Sequence, residues 1–104
     1  GKYRNGNMPE NSRLKLFSNL ARFSNDKCFK ATDLYYDIAV KYDLSLTEMS
    51  LAFVNDRPFV TSNIIGATSM NQLKENINSI NIKLSKEIIA EINSVNEKIP
   101  NPAP

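Results

Sequence analysis

The chain contains no histidine, a single cysteine and only three glycines in 104 residues. Each scarcity removes a class of chemistry. Without histidine there is no imidazole to act as general base near neutral pH, no histidine-based triad, and no ligand set for most zinc sites. One cysteine, Cys28, excludes an internal disulfide and a cysteine metal cluster, and it has no histidine to activate it as a nucleophile. Cys28 is expected to be a surface thiol without a role, in a reducing cytoplasm. The glycines, Gly1, Gly6 and Gly66, are too scattered for a dinucleotide fingerprint, and no P-loop lysine accompanies Gly66. No apolar run approaches the roughly 20 residues that cross a bilayer, and the opening "GKYRNGNMPENSR" has no apolar signal region. Nor is there a block of like charge. The 13 basic and 11 acidic side chains are mixed, with a net charge of +2, so neither nucleic acid nor an anionic membrane is expected as a partner.

What is present is the composition of one small soluble globular domain, 41% hydrophobic and 23% charged. Gly1-Lys2-Tyr3 opens without a methionine, a cap or a turn, as expected of a chain entered part-way along a longer one. Residues 1–12 hold two glycines, Pro9 and three asparagines, which predicts an extended loop. Leu14, Leu16, Phe17, Leu20 and Phe23 follow at mostly helical spacings, giving a short helix over 12–23, and "SNDK" breaks the pattern. In "KATDLYYDIAVKYD", Ala31, Leu34, Tyr35, Ile38 and Ala39 line one helical face. Ser45-Leu-Thr-Glu48 matches a capping box, and the nearly all-apolar helix it opens is expected to be buried on most sides before Pro58 stops it.

"FVTSNIIG", 59–66, has the β-branched enrichment of a buried strand, with no partner strand in the chain. Ser69-x-x-Gln72 predicts a second capping box and a helix to about Asn78. After Ser85, Ile88, Ile89, Ile92 and Val95 form the apolar face of a last helix, and "PNPAP" ends it. The expected order is loop, three helices, strand, two helices: mostly α as an isolated chain.

The stretch "NIIGATSMNQLKENI" is the one constellation with chemistry in it. A strand ending in glycine and running into a helix N-terminus presents free amides and the positive end of the helix dipole, and Thr68 and Ser69 add hydroxyls. A plain strand-to-helix turn capped by Ser69 explains the same spacing. Lys2, Arg4 and Arg13 in the opening loop could embrace phosphates, or belong to a solvated loop. The acidic residues fall mainly on polar helix faces, and Phe17, Phe23, Tyr35, Tyr36 and Phe53 fall at core spacings without a basic groove beside them.

Taken in order, "GKY" and its polar loop ending in Arg13, "MSLAFVNDRPFVTSNIIGATSMNQLKENI", "LSKEIIAEINSV" and the terminal "PAP" resemble the C-terminal third of the aldo-keto reductases. The resemblance is best to the Tas-type branch, related to potassium-channel β-subunits, and it runs over essentially the whole chain. That family folds as a (β/α)₈ barrel and reduces carbonyls with NADPH. The resemblance implies a C-terminal barrel fragment: a cofactor loop over 1–13, helices over 14–58, the last barrel strand at 59–66 and C-terminal helices over 69–99. It places Gly66, Thr68 and Gln72 at the 2′-phosphate end of NADP, Glu75 and Asn76 at the adenine, and Lys2 and Arg13 near the pyrophosphate and adenosine phosphate. The basic residue often found after the glycine motif is replaced by Ala67-Thr68-Ser69-Met70, and Asn11 also departs from the pattern.

The family's Asp-Tyr-Lys-His tetrad lies in the first half of the barrel. No histidine exists here, and Tyr3, Tyr35, Tyr36 and Tyr42 do not match its tyrosine. The implied function is therefore the cofactor-binding part of an NADP-dependent carbonyl reductase with no catalytic residue and no metal. Weak or absent NADPH binding is expected for the chain alone, and NADPH with a small carbonyl substrate for the full-length enzyme. The alternative is a non-catalytic binding fragment, or one that self-associates through its exposed barrel-facing surface.

Overall fold

The computed structural model describes residues 1–17 and 24–103. Five α-helices and two 3-10 turns, Arg4–Gly6 and Ser79–Asn81, make up its regular structure: α1 (Arg13–Leu16), α2 (Asp26–Lys41), α3 (Leu46–Asn55), α4 (Met70–Asn78) and α5 (Lys86–Lys98). The chain is mostly helical, as its patterning predicts. Of the helix expected over 12–23 the structure shows only α1, and the remainder, with Leu20 and Phe23, lies outside the described residues.

Capping sets the helix starts. Asn25 opens α2 by accepting from the Cys28 amide, so the "SNDK" break is the cap of this helix, which starts four residues before the predicted stretch. At the other end Asp43 takes φ 57°, and the amides of Asp43 and Leu44 bond to the carbonyls of Val40 and Ala39. This is a Schellman stop in which a short acidic side chain tolerates the left-handed conformation. It delivers Ser45 as the cap of α3, where both halves of the capping box form: Glu48 N to Ser45 Oγ at 3.0 Å and Ser45 N to Glu48 Oε1 at 3.1 Å.

The second predicted box forms by half. Gln72 N donates to Ser69 Oγ, but the Gln72 side chain passes Ser69 and accepts from Thr68 instead. Cys28 also departs from expectation. Its thiol is half-buried and donates to the Pro102 carbonyl, pinning the C-terminal tail to the start of α2.

The core sits where α2, α3 and α5 meet. Ile38, Ala39, Met49, Ile88, Ile92 and Val95 are buried there, with Leu34, Tyr35, Phe53 and Leu84 packed around them. Phe17, expected in the core, is 59% exposed. The nearly all-apolar α3 buries Met49 and Ala52 and keeps Leu46, Leu51, Phe53 and Val54 half-buried, with Thr47, Ser50 and Asn55 its exposed positions. Residues 59–66 also differ from expectation. Among the described residues there is no strand, and the segment leaves a turn at Pro58–Phe59 and runs without a backbone ladder, Ile64 being 95% exposed. A strand needs a neighbour to satisfy its amides and carbonyls, and the described residues supply none.

The accessible surface of 7722 Å² exceeds the ~5,900 Å² of a compact monomer of this mass. The radius of gyration of 14.2 Å exceeds the ~13 Å expected for its length. Much of the excess is apolar: Phe59, Ile64, Met70, Ile77 and Ile80 are all exposed.

Two ion pairs bind the periphery to α2. Arg4 Nε donates to Asp33 Oδ1 at 2.7 Å while its guanidinium lies 3.5 Å from the Tyr36 ring centre, fixing the opening loop. Lys41 Nζ meets Glu91 Oε1 at 2.9 Å, joining α2 to α5. The Tyr42 hydroxyl and the Lys41 ammonium together hold Glu91 below the usual carboxylate range, and Glu91 in turn raises Tyr42.

Two outcomes follow from this packing. Ile92→Ala opens a cavity in the three-helix core and should cost about 2–5 kcal/mol, a large part of the stability of a small domain, read as a lowered midpoint in urea. The depressed Glu91 contributes stability that is present above its unfolded pKa and lost as pH falls through its folded one. The raised Tyr42 contributes below its own unfolded pKa and is lost in strong alkali. Thermal melts should therefore be flat near neutrality and fall on acidification, and Glu91→Gln should flatten the acid limb. An acid limb that is unchanged in the variant would remove Glu91 from this role.

Candidate functional site

The segment from Asn63 to Asn76 is shaped by a relay of side-chain hydrogen bonds that takes the place of a strand ladder. Asn63 Nδ2 donates to Asn55 Oδ1 at 3.2 Å, and Asn55 Nδ2 donates to Ser79 Oγ at 3.3 Å. Ser79 Oγ donates to the Asn76 carbonyl at 2.6 Å, and Asn76 Nδ2 donates to the Gly66 carbonyl at 3.1 Å. The relay ties the extended segment to the end of α3 and the inner face of α4. Asn76 and Ser79 are both buried, so the bonds at this end of the relay are shielded from competing water, while the Asn63–Asn55 bond is exposed.

Gly66 is thereby held just before the N-terminus of α4. Its φ is not positive, and a Cβ built on it meets nothing within 4 Å. Neither backbone conformation nor packing within this chain requires a glycine there, so the open space over Gly66 is available to something outside the chain.

Beyond Gly66 the donors divide into two groups. The amide and hydroxyl of Thr68 both point to Gln72 Oε1, at 2.8 and 3.0 Å, and the Gln72 amide is taken by Ser69 Oγ. The first two amides of α4, those of Met70 and Asn71, have no partner among the described residues. Unsatisfied first-turn amides at the positive end of the helix dipole are suited to an anion. Free amides are expected from the sequence at this helix start; Ser69 tells which ones they are, because a cap that takes the third amide leaves the first two open.

The expected site residues fall into three places. Gly66 and Asn76 share a cleft of about 420 Å³ with Gly1, Leu46, Ser50 and Ile65. Thr68 and Gln72 are bonded to each other on the exposed rim. Glu75, next to Asn76 on α4, does not line the cleft; its Oε1 accepts from Ser45 Oγ at 2.5 Å, a contact 30 residues apart in sequence. Lys2 and Arg13 do not line the cleft. Lys2 lies 5.2 Å from the Tyr3 ring centre. Arg13 is exposed at the first position of α1, and its guanidinium has no partner among the described residues. Arg4, also considered in the sequence, is committed to Asp33 and Tyr36.

The arrangement can bind an anion next to a close-approach glycine; it has no acid–base pair in the cleft wall. Among the described residues no three histidine, cysteine, aspartate or glutamate side chains gather where a metal could be held. No helix among them is long and apolar enough to cross a membrane.

Comparison with known proteins bears on what this anion site serves. The chain is 45% identical over its full 104 residues to Protein tas of Escherichia coli strain K12, and spans 30% of that protein's length. It is 33% identical over 105 aligned residues, 96% of the chain and 32% of the relative, to a probable voltage-gated potassium channel subunit beta of Oryza sativa subsp. japonica. It is 32% identical over 98 residues, 88% of the chain and 28% of the relative, to L-glyceraldehyde 3-phosphate reductase of Escherichia coli O157:H7. The sequence model of the Aldo/keto reductase family matches residues 1–97, and the chain belongs to that family.

Proposed function

We propose that this chain is the C-terminal part of an NADP-dependent aldo-keto reductase and forms the adenosine end of its cofactor site. Residues 1–13 are the cofactor loop, 14–58 the helices before the last strand, 59–66 the last strand of a (β/α)₈ barrel, and 69–99 the C-terminal helices. The observation that carries this is Gly66. It is a glycine with open space above it, held by Asn76 at the mouth of a helix whose first two amides are unpaired. The exposed apolar side chains at Phe59 and Ile64 support the barrel assignment, since a barrel strand has one face covered by the packed interior and the other by the surrounding helices.

The residues suit the phosphate-bearing half of a dinucleotide. The α4 amides beside Thr68 offer donors to the adenosine phosphate, Arg13 brings a guanidinium without a partner among the described residues, and Lys2 adds a compact charge toward the pyrophosphate. Gln72 holds Thr68 in place, and Glu75 lies along the adenine side. Asn76 serves this site through the Gly66 carbonyl that it holds. Bound NADPH supplies the hydride for carbonyl reduction; this chain's residues bind and orient its adenosine half, while the proton-donating groups belong to the upstream barrel. A small aldehyde or ketone is the substrate class of the full-length enzyme, working in the cytoplasm. Alone, the chain binds NADPH weakly or not at all, because half of the pocket is missing and no preorganised site offsets the ordering cost. Its uncovered apolar surface favours self-association in that state.

Two substitutions in the full-length enzyme test the assignment. Arg13→Ala should raise the NADPH dissociation constant by roughly tenfold or more, measured by fluorescence titration, and unchanged affinity would refute the role given to Arg13. Gly66→Ala should weaken NADPH binding while leaving the melting temperature of the isolated chain the same or higher, since the new methyl meets open space and stiffens the unfolded chain by about 0.4–1 kcal/mol. A variant that binds NADPH normally would mean that the space over Gly66 is not where the cofactor lies.

A further inference from the structure

Ser45 carries two different bonds on one oxygen. Its Oγ accepts from the Glu48 amide at 3.0 Å, which caps α3, and donates to Glu75 Oε1 on α4 at 2.5 Å. The cap fixes the hydroxyl. The Schellman turn at Asp43 and Leu44 sets the backbone of residue 45, the reciprocal bond from Ser45 N to Glu48 Oε1 locks the first turn, and the amide of Glu48 occupies one lone pair. The remaining proton is then aimed at α4. A helix cap needs only an acceptor, so the donation to Glu75 is additional to what α3 requires.

We infer that Ser45 is a positioning residue for the nucleotide site: its hydroxyl holds the Glu75 carboxylate in a single rotamer and couples the start of α3 to the helix that presents the anion-binding amides. This rests on the assignment of Glu75 to the adenine side of an NADP site. Glu75 is half-buried, and its carboxylate has no other hydrogen-bond partner among the described residues. Without Ser45 its long side chain would sample several rotamers, and ordering it would be deferred to the moment of binding. Glu75 and Asn76 are neighbours on α4, tied respectively to Ser45 and to the Gly66 carbonyl, so the helix is held from both sides just behind the site.

Cap and positioner can be separated because residues that cap equally well differ in what they donate. Ser45→Asp keeps an acceptor for the Glu48 amide but loses the proton and faces Glu75 with a second carboxylate; Ser45→Thr keeps both functions. In the full-length enzyme, Ser45→Asp should raise the KM for NADPH about three- to tenfold with kcat at saturating cofactor unchanged. Ser45→Thr should restore the KM to that of the unsubstituted enzyme. Combined with Glu75→Ala, Ser45→Asp should produce no further rise, because the group it positions is gone. If Glu75→Ala weakens NADPH binding while Ser45→Asp does not, the positioning role is overturned and the cofactor assignment stands. If Glu75→Ala itself leaves NADPH affinity unchanged, the adenine assignment of Glu75 falls and the inference falls with it. Circular dichroism of each variant distinguishes these outcomes from loss of α3, which would lower helicity in Ser45→Asp and count against Ser45 acting on Glu75 alone.

Discussion

Ala39 has no exposed surface at all, and the rest of the structure depends on its being so small. It lies in the cluster where α2, α3 and α5 converge, among Ile38, Met49, Ile88, Ile92 and Val95. A methyl group there lets three helices approach closely enough for the larger side chains to interdigitate. A bulkier residue would force α3 or α5 outward, and α3 carries the Ser45 junction while its far end, Asn55, starts the relay that holds residues 63–66. The course of residues 63–66 ahead of α4 is thus coupled through α3 to the packing around Ala39.

That arrangement gives the chain two unlike sides. One has a sealed core, two ion pairs to α2 and a tail fastened to Asn25 and Cys28. The other shows Phe59, Ile64, Ile77 and Ile80 to solvent, and its irregular segment is held by asparagine and serine side chains instead of a ladder. Hydrogen bonds of this kind fix position and leave backbone groups open. The polar relay therefore preserves the extended course of residues 63–66 without satisfying the donors that a neighbouring strand would take, as the proposed role of a last barrel strand would require.

The parts of this fold that were legible in the sequence are those determined within a few residues. Ser45, Ser69 and Ser85 each accept from the amide three residues on, and the helices run from them as the apolar spacing dictates. The face Ile88, Ile92, Val95 is buried as its period requires. What failed depended on something not adjacent. The strand expected at 59–66 needed a partner that the described residues do not supply. The attachment of Arg4 to Asp33 and Tyr36, and of Ser45 to Glu75, joins residues about thirty apart, where no local pattern reports contact. At the site, spacing predicted Gln72 as a capping partner of Ser69; the longer reach to Thr68 followed from where the Thr68 amide and hydroxyl happened to converge.

The site itself is divided between what is already fixed and what is left open. Asn76, Glu75, Gln72 and Ser69 have partners within the chain, and each partner fixes a backbone or carboxylate position. The amides of Met70 and Asn71, the guanidinium of Arg13 and the space over Gly66 have none among the described residues. A binding site that separates these two groups holds its supports rigid before the ligand arrives and reserves its unsatisfied donors for the ligand. The affinity of the assembled site then comes from donors that lose only water on binding, because the cost of ordering the groups behind them has already been met in folding. By the same logic open donors gain little from a ligand that touches them on one side only, so under the proposed assignment the α4 N-terminus would act as a nucleotide site only with the rest of the pocket around it.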